Sequence, residues 1–150
     1  MYPDPRVAAF VSGNFIPVRV HVKRNSEEYQ KLSARYNAQW TPTILIVDRD
    51  GNERHRLEGF LPADEFLPQL EIGAAHAAFA RQDHADAQRR FRAIVDKYPE
   101  SDVAAEALYW AGVSNYKATG DAASLEDTAH AFSERYQRSP WAKKASVWAA

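Results

Sequence analysis

The hydrophobic period of this chain changes at Pro62, and the change limits the folds that the chain can adopt. Before Pro62, one apolar run alternates with polar residues (16–22) and another is continuous (Thr43–Val47), and both patterns are typical of β-strands. After Pro62 no run reads as a strand, and apolar residues recur three and four positions apart, as in amphipathic helices. A length of 150 residues suits one ordinary domain or two small ones. We therefore expect a mixed α/β part followed by an all-α part.

In the mixed α/β part, before Pro62, the residue pattern predicts the element order α-β-α-β-β. Asp4 followed by Pro5 is a typical helix start, and Gly13 is expected to end that helix. Residues 16–22 then predict a strand with its valines on one face. Asn25 and Ser26 offer caps for a second helix.

The segment TILIVDRDGNERHRLE predicts a β-hairpin. Its first strand, Thr43–Val47, has no polar alternation after the threonine, so we expect it to be covered on both faces. The sequence DRDGN supplies the turn. The return strand, Glu53–Glu58, carries charges that suit an exposed sheet edge.

Helical patterns account for the rest of the chain. Residues 64–66 follow Pro62 as a first turn would, whereas Pro68 predicts a kink or a restart. YPESDVAAEALYWAG from Tyr98 is similar to YQRSPWAKKASVWAA from Tyr136, which indicates a weak repeat of paired helices. The apolar positions at helical spacing are Ala87, Phe91, Ile94, Val95 and Tyr98, then Val103, Ala107, Trp110, Ala111 and Ser114, then Leu125, Ala129, Phe132 and Tyr136.

Composition argues against several classes of protein. A formal net charge of -1 gives no reason to expect a nucleic-acid or membrane partner. The longest apolar run is far shorter than the roughly 20 residues of a membrane span, and the N-terminus lacks a signal-peptide pattern, so we predict a cytoplasmic protein. The chain contains no cysteine, which excludes disulfides, thiolate zinc sites and cysteine nucleophiles within these residues.

Residues 4 to about 70 resemble the C-terminal two-thirds of a thioredoxin-fold domain. DPRVAAFVSGNFIPVRVHV is similar to the end of that family's active-site helix and its next strand. TPT at Thr41–Thr43 resembles the cis-proline loop, and DRDGNERHRLEGFLPADEFLPQL resembles the terminal hairpin and helix. The resemblance implies a partial α/β thioredoxin-like domain of about three strands over residues 1–68.

Residues 70 to 150 resemble tetratricopeptide-like arrays. Ala87, Phe91 and Pro99 fall at the spacing of that family's second helix and following turn, and Phe132 with Pro140 repeats the Phe-to-Pro interval. Thr128 departs from the pattern, since the family has a small alanine there. The resemblance implies an all-α helical-hairpin array over residues 69–150.

The thioredoxin resemblance implies a redox reaction that these residues do not supply. The family uses a Cys-x-x-Cys pair as thiolate, and we expect that motif upstream of Met1. A further strand of the family's sheet lies between the counterparts of residues 16–22 and Thr43–Val47. We therefore expect apolar strand edges that pair directly or recruit another chain, and hence a homodimer through those edges.

The same resemblance implies a peptide-binding site at Trp40, Thr41 and Pro42. In the family, the residue before a cis-proline offers its backbone to an extended peptide, and Thr41 matches that position. The alternative is a turn that only leads into the strand. Trp40 either contacts the peptide or covers the core, and we prefer the core.

No metal or cofactor is expected. His76 and His84 lie near Asp83 and Asp86 in sequence, but no zinc signature has this spacing. His21 and His55 are expected to face solvent or to bind a carbonyl. A further cluster, made of Trp110, Trp141 and Trp148, is best interpreted as core between stacked helices, and the alternative is a groove for a partner peptide.

Two functional classes remain open. One is a thioredoxin-like interaction module that binds a protein or peptide through a platform without cysteines, extended by a helical array. The other is a thiol-disulfide oxidoreductase whose redox segment lies outside these residues. For the chain as given we prefer the non-catalytic module, because thiol exchange requires a thiol.

Overall fold

The computed structural model describes residues 3–149, and within them the fold is mostly helical with one two-stranded sheet. By its internal contacts the chain divides between Leu70 and Glu71 into two compact units, here called the N-terminal unit and the helical unit. The elements are α1 (Pro5–Asn14), α2 (Ser26–Arg35), β1 (Thr43–Val47), β2 (Glu53–Glu58), α3 (Ala63–Ala80), α4 (His84–Lys97), α5 (Ala104–Thr119), α6 (Ala123–Glu134), α7 (Pro140–Ala145) and a 3-10 turn (Ser146–Trp148).

Helix α1 begins as its sequence predicts. The Asp4 carboxylate accepts the Arg6 backbone N–H at 2.8 Å, and Pro5 occupies the first turn, where its missing N–H costs nothing. The Arg6 side chain also donates to this carboxylate and keeps the pKa of Asp4 below its ordinary value. The end of the helix is not at Gly13 but one residue later, because Phe15 turns the chain into an extended conformation.

The prediction of a strand over residues 16–22 is wrong, and so is the expectation of about three strands. The segment forms no strand, and the sheet contains only β1 and β2 among residues 3–149. Ile16 is 93% exposed and Val18 is 76% exposed. An alternating pattern specifies a strand only where a neighbour completes its hydrogen bonds, and in the described chain none lies beside this segment.

The hairpin forms with the predicted bounds. β1 and β2 are antiparallel, with Thr43 opposite Glu58 and an irregularity of register between Ile46 and Val47. The expectation that β1 is covered on both faces is wrong, since Ile46 is buried but Val47 is 43% exposed. A sheet with two strands in the described chain leaves most of β1 in partial contact with solvent.

The turn between the strands is organised by Asp48. Its carboxylate accepts the backbone N–H groups of Asp50 and Asn52, each at 2.9 Å, and pairs with Arg54 at 2.7 Å. These hydrogen bonds, that from the Asn52 backbone foremost, lower the pKa of Asp48 to about 2. Gly51 adopts a φ of +81°, which favours glycine, and so completes the turn.

Helix α3 runs without interruption through Pro68, so a restart there is not found. A proline inside a helix costs about 3 kcal/mol. Burial offsets this cost, because Phe66, Leu67 and Leu70 are each at most 5% exposed and each buried apolar side chain contributes roughly 1.5–3 kcal/mol. Pro68 itself is also fully buried.

The helical unit encloses one continuous apolar core. Within each helix, most of the predicted apolar positions face it, and Phe91, Ile94 and Ala107 are fully buried. Tyr98, Trp110 and Tyr136 pack against the core while keeping partial exposure. The core residues are Ile72, Ala75, Ala78, Ala87, Phe91, Ile94, Val95, Val103, Ala107, Leu108, Ala111, Phe132 and Ala145.

Two tyrosines at equivalent positions of the weak repeat reach back along the chain. Tyr98 donates its hydroxyl to the buried carboxylate of Glu71 at 2.9 Å, and Lys97 pairs with the same oxygen at 2.8 Å. Tyr136 donates its hydroxyl to the Pro99 carbonyl at 2.5 Å. Each tyrosine therefore ties the end of one helix to an earlier segment of the helical unit.

Thr128, which departs from the tetratricopeptide-like pattern, lies opposite a glycine on the neighbouring helix. A Cβ atom placed on Gly112 of α5 would overlap the Thr128 hydroxyl and Cβ. The Thr128 hydroxyl donates to the Ser124 carbonyl at 2.7 Å, so its rotamer is held. The close approach of α5 and α6 therefore depends on a glycine opposite the larger residue.

Candidate functional site

The residues Trp40, Thr41 and Pro42, here called the Trp40 loop, lie directly before β1. The Thr43 hydroxyl donates to the Trp40 carbonyl at 2.6 Å, and the Gly59 N–H donates to the Pro42 carbonyl at 2.8 Å. The Thr41–Pro42 peptide bond is cis. The backbone of the loop is thus fixed at both ends to the hairpin.

The side chains of this fixed loop point into solvent. Trp40 is 67% exposed, and Thr41 and Pro42 are exposed as well. The preference for Trp40 as a cover of the core is therefore wrong: the loop precedes a two-stranded sheet whose only buried residue in β1 is Ile46. Phe60, which follows Gly59 just after the end of β2, is also exposed, at 75%.

Arg56 of the return strand binds the end of α2, just before the Trp40 loop. Its guanidinium donates to the backbone carbonyls of Tyr36 and Asn37 at the end of α2 and lies between Glu53 and Glu58. Hydrogen bonding to Glu53, followed by Glu58, raises the pKa of Arg56. The sequence alone predicts this arginine only as one of the charges on an exposed sheet edge. Glutamates lie three residues before it and two residues after it, and this spacing is the sequence pattern that could have indicated its anchoring role.

The end of α2 is held to the hairpin turn by a second contact. The Tyr36 hydroxyl donates to the Gly51 carbonyl at 2.9 Å. Asn37, with a φ of +50°, then reverses the chain toward the loop. The loop is therefore a rigid connection between α2 and β1, in which fixed backbone carries exposed side chains.

The Trp40 loop presents apolar rings and backbone hydrogen-bonding groups at the surface. An indole ring and a proline ring offer apolar surface, and the backbone of Thr41 offers hydrogen-bonding groups. None of these three residues ionises near neutral pH.

The histidines occupy separate structural settings. His76 pairs with Glu106 at 2.8 Å, while His84 packs its ring against Phe79 at 4.8 Å. His55 bonds the side-chain oxygen of Gln69 at 2.7 Å. Across residues 3–149 no group of three or more His, Asp or Glu side chains is placed to hold a metal ion.

His21 lies in a turn rather than in a strand. Its Nδ1 accepts the backbone N–H of Lys23 at 3.1 Å and that of Arg24 at 3.3 Å. The imidazole therefore organises the turn that precedes α2.

The three tryptophans of the helical unit meet around Tyr109, which sequence reasoning did not single out. The Tyr109 ring stacks on Trp148 at 4.8 Å and contacts Trp141 at 5.2 Å and Trp110 at 5.6 Å. All three tryptophans are half-buried against the core. The Lys144 ammonium lies over the Trp141 ring, 4.1 Å from its centroid. The helical spacing of the three tryptophans predicted that they cluster. Tyr109, whose ring joins them, is not one of the residues shared by the two repeated segments.

No helix within residues 3–149 combines the length and the apolar character needed to cross a bilayer.

Comparison with known proteins finds similarity in the N-terminal part of the chain. Residues 1–74 match a family model described as a thioredoxin-like domain. The thiol:disulfide interchange protein DsbD of Haemophilus influenzae (strain PittGG) is 35% identical over 72 residues, which is 47% of this chain and 12% of that protein. Thioredoxin Y, chloroplastic, of Oryza sativa subsp. japonica is 38% identical over 50 residues, 33% of this chain and 29% of that protein.

The matched segments are short parts of these relatives, and no solved structure matches the chain. The similarity covers the hairpin and the Trp40 loop and stops near the start of the helical unit. Residues 1–74 are thus a thioredoxin-like domain, and the Trp40 loop lies within it.

Proposed function

We propose that this chain is a non-catalytic interaction module that binds an extended peptide or protein segment at Trp40, Thr41 and Pro42. The observation that carries the proposal is the 67% exposure of Trp40 on a backbone fixed at both ends. An exposed indole on a rigid loop loses little entropy on binding, and such aromatic anchors dominate binding energy at interfaces.

The backbone of the Trp40 loop supports the same interpretation. Its carbonyl groups at Trp40 and Pro42 already accept bonds from Thr43 and Gly59, so they keep the loop in one conformation. Thr41, between them, has neither group engaged by a hydrogen bond recorded within residues 3–149. A peptide in extended conformation could therefore pair with Thr41 without breaking an existing bond.

The helical unit completes the proposed module. Its continuous core and the tyrosines at equivalent repeat positions support a tetratricopeptide-like array. We assign to it a recruiting role for protein partners rather than a reaction. A cytoplasmic location completes the proposal.

The peptide-binding test uses carboxymethylated insulin B chain, an extended polypeptide without free thiols, labelled for fluorescence anisotropy. Replacing Trp40 with Ala is expected to weaken binding by about thirty-fold or more, since the loss of an aromatic anchor costs about 2 kcal/mol or above. Val147→Ala is the matched control, because Val147 is 79% exposed but lies in the helical unit. Equal affinities of the Trp40→Ala variant and the parent chain would contradict the proposal.

The non-catalytic part has a separate test. Insulin reduction by dithiothreitol should proceed at the same rate with and without this chain, because it contains no cysteine to form a mixed disulfide. A rate clearly above the rate with dithiothreitol alone would contradict this part and leave the binding part standing.

A second candidate follows from the names of the relatives. One is a thiol:disulfide interchange protein and another a thioredoxin. If cysteines outside residues 1–150 belong to the same polypeptide, the protein is a thiol-disulfide oxidoreductase and the Trp40 loop is its substrate-binding half. The coding sequence around these residues decides between the two: an in-frame Cys-x-x-Cys favours the oxidoreductase.

A further inference from the structure

Glu58, the last residue of β2, brings a carboxylate next to the Trp40 loop. It lies opposite Thr43 in the hairpin, and the Cβ atoms of opposed residues on antiparallel strands are about 5 Å apart. The Thr43 hydroxyl in turn donates to the Trp40 carbonyl at 2.6 Å. The residue after Glu58, Gly59, donates its N–H to the Pro42 carbonyl at 2.8 Å. Glu58 therefore lies alongside the loop that we propose as the binding site.

The neighbouring cation, Arg56, is engaged mainly by other groups. Its Nε lies 3.1 and 3.2 Å from the two carboxylate oxygens of Glu53, and its Nη2 lies 2.6 Å from one of them. The guanidinium also donates to the carbonyls of Tyr36 and Asn37. Glu58 receives one hydrogen bond from it, at 3.2 Å from Nη1. One guanidinium thus serves two carboxylates, and the three side chains together carry one net negative charge.

Much of this negative charge stays accessible at Glu58. Its side chain is 49% exposed, against 26% for Arg56, and among residues 3–149 no donor is recorded for its second oxygen, Oε2. A half-exposed carboxylate loses little hydration when it meets a cation. Trp40, Thr41 and Pro42 carry no charge. Glu58 is therefore the residue through which this site can distinguish partner segments by their charge.

We propose that Glu58 makes the Trp40 loop selective for extended segments that carry a lysine or arginine next to their apolar residues. The inference rests on the proposed function, since it takes a peptide paired with Thr41 as its starting point. Strand residues advance about 3.3 Å each, and a lysine carries its ammonium at the end of a flexible four-carbon stem. A basic side chain one position from the residue at Thr41 can thus reach Glu58, whereas an acidic one there meets a like charge.

Three labelled peptides with blocked termini test the selectivity by fluorescence anisotropy. They are Ser-Lys-Val-Leu-Val-Lys-Ser and the same sequence with both lysines replaced by glutamine or by glutamate. The variable residues flank the apolar centre on both sides, so that one of them lies near Glu58 whichever way the peptide runs. The parent chain is expected to bind the lysine peptide about two- to five-fold more tightly than the glutamine peptide, as an exposed ion pair allows. The glutamate peptide is expected to bind most weakly.

Variants of Glu58 assign the preference to this residue. Glu58→Gln keeps the size of the side chain and removes its charge, so it is expected to abolish the preference, and Glu58→Lys is expected to reverse it. Glu126→Gln is the matched control, because Glu126 is an exposed glutamate of the helical unit, and it should keep the preference of the parent chain. Raising the salt concentration from about 0.01 M to about 1 M should shrink the preference, since exposed charges are screened.

The outcomes separate the role of Glu58 from the binding site itself. Equal affinities of the parent chain for all three peptides, each weakened by Trp40→Ala, overturn the role of Glu58 and leave the binding site standing. A preference for lysine that Glu58→Gln leaves unchanged does the same. Binding that Trp40→Ala does not weaken, or no binding of any of the three peptides, overturns both.

Discussion

The two units of this chain use their apolar residues in opposite ways. In the helical unit the large apolar side chains enclose a continuous core, and of them only Tyr116 and Val147 are exposed within the described chain. The N-terminal unit buries few large apolar side chains and exposes Ile16, Val18, Val22, Trp40, Val47 and Phe60. The contrast therefore places most of the continuous apolar core in the helical unit and most of the exposed large apolar side chains in the N-terminal unit.

A matched pair of isoleucines tests this contrast with the largest expected effect. Ile72 is fully buried in the helical unit and Ile16 is 93% exposed in the N-terminal unit. Ile72→Ala is expected to lower the free energy of unfolding by about 2–5 kcal/mol, because it removes buried methylene groups and leaves a cavity. Ile16→Ala is expected to stay within about 0.5 kcal/mol. Urea unfolding followed by circular dichroism at low protein concentration measures both. Similar losses in the two variants would break the contrast.

A matched pair of glycines tests packing at helix surfaces. Gly112→Ala is expected to cost about 1–3 kcal/mol, because the new methyl group overlaps Thr128. Gly13→Ala, at a helical position with no atom within 4 Å of the new methyl group, is expected to stabilise the chain, by about 0.5–1 kcal/mol. The double variant Gly112→Ala with Thr128→Ala should recover part of the loss. Additive losses in the double variant would show that the two side chains do not meet.

The turn at Asp48 gives the N-terminal unit a specific acid sensitivity. Its pKa is about 2 in the folded chain against an ordinary value of 3.8. The stabilisation by the ionised carboxylate is therefore complete above about pH 4 and is lost as the pH falls from about 4 to about 2. Amide NMR signals of β1 and β2 should follow this loss, and Asp48→Asn should remove the pH dependence. Asp50→Asn is the control, and an equal response from it would contradict the role of Asp48.

The smallest expected effect concerns a polar group inside the helical core. Ser114 is fully buried, and no hydrogen-bond partner of its hydroxyl is found in the described part of the chain. Ser114→Ala removes an unsatisfied buried hydroxyl, so it is expected to leave the stability unchanged or to raise it by up to about 1 kcal/mol. Thermal unfolding gives the comparison with the parent chain. A loss of more than that amount would mean that the hydroxyl has a partner.

The sequence predicted the helical core better than the N-terminal unit, and the reason is physical. A helix completes its backbone hydrogen bonds within itself, so the spacing of Phe91, Ile94 and Val95 was enough to predict their burial. A strand needs a neighbour, so the equally regular alternation at residues 16–22 predicted a strand that does not form. The hairpin succeeded because the turn at Asp48 brings its two strands together locally.

The candidate site was predictable in position but not in environment. The TPT pattern was enough to locate the Trp40 loop. The exposure of Trp40 could not be predicted, because it depends on the burial of the neighbouring sheet, in which most of β1 is only partly buried. Arg56 and Tyr36 join the end of α2, just before the loop, to the hairpin through contacts that are distant in sequence. Contacts of this kind carry no local pattern, and neither does the Tyr109 ring that joins the three tryptophans.

Amide hydrogen exchange of the full chain in dilute solution tests the contrast between the two units most directly. Amides in α4 and α5 are expected to exchange only through global unfolding, since these helices carry the core. Amides of residues 18–20 are expected to exchange almost as fast as in an unstructured peptide, because no hydrogen bond protects them in the described chain. Protection of residues 18–20 at the level of α5 would contradict the account.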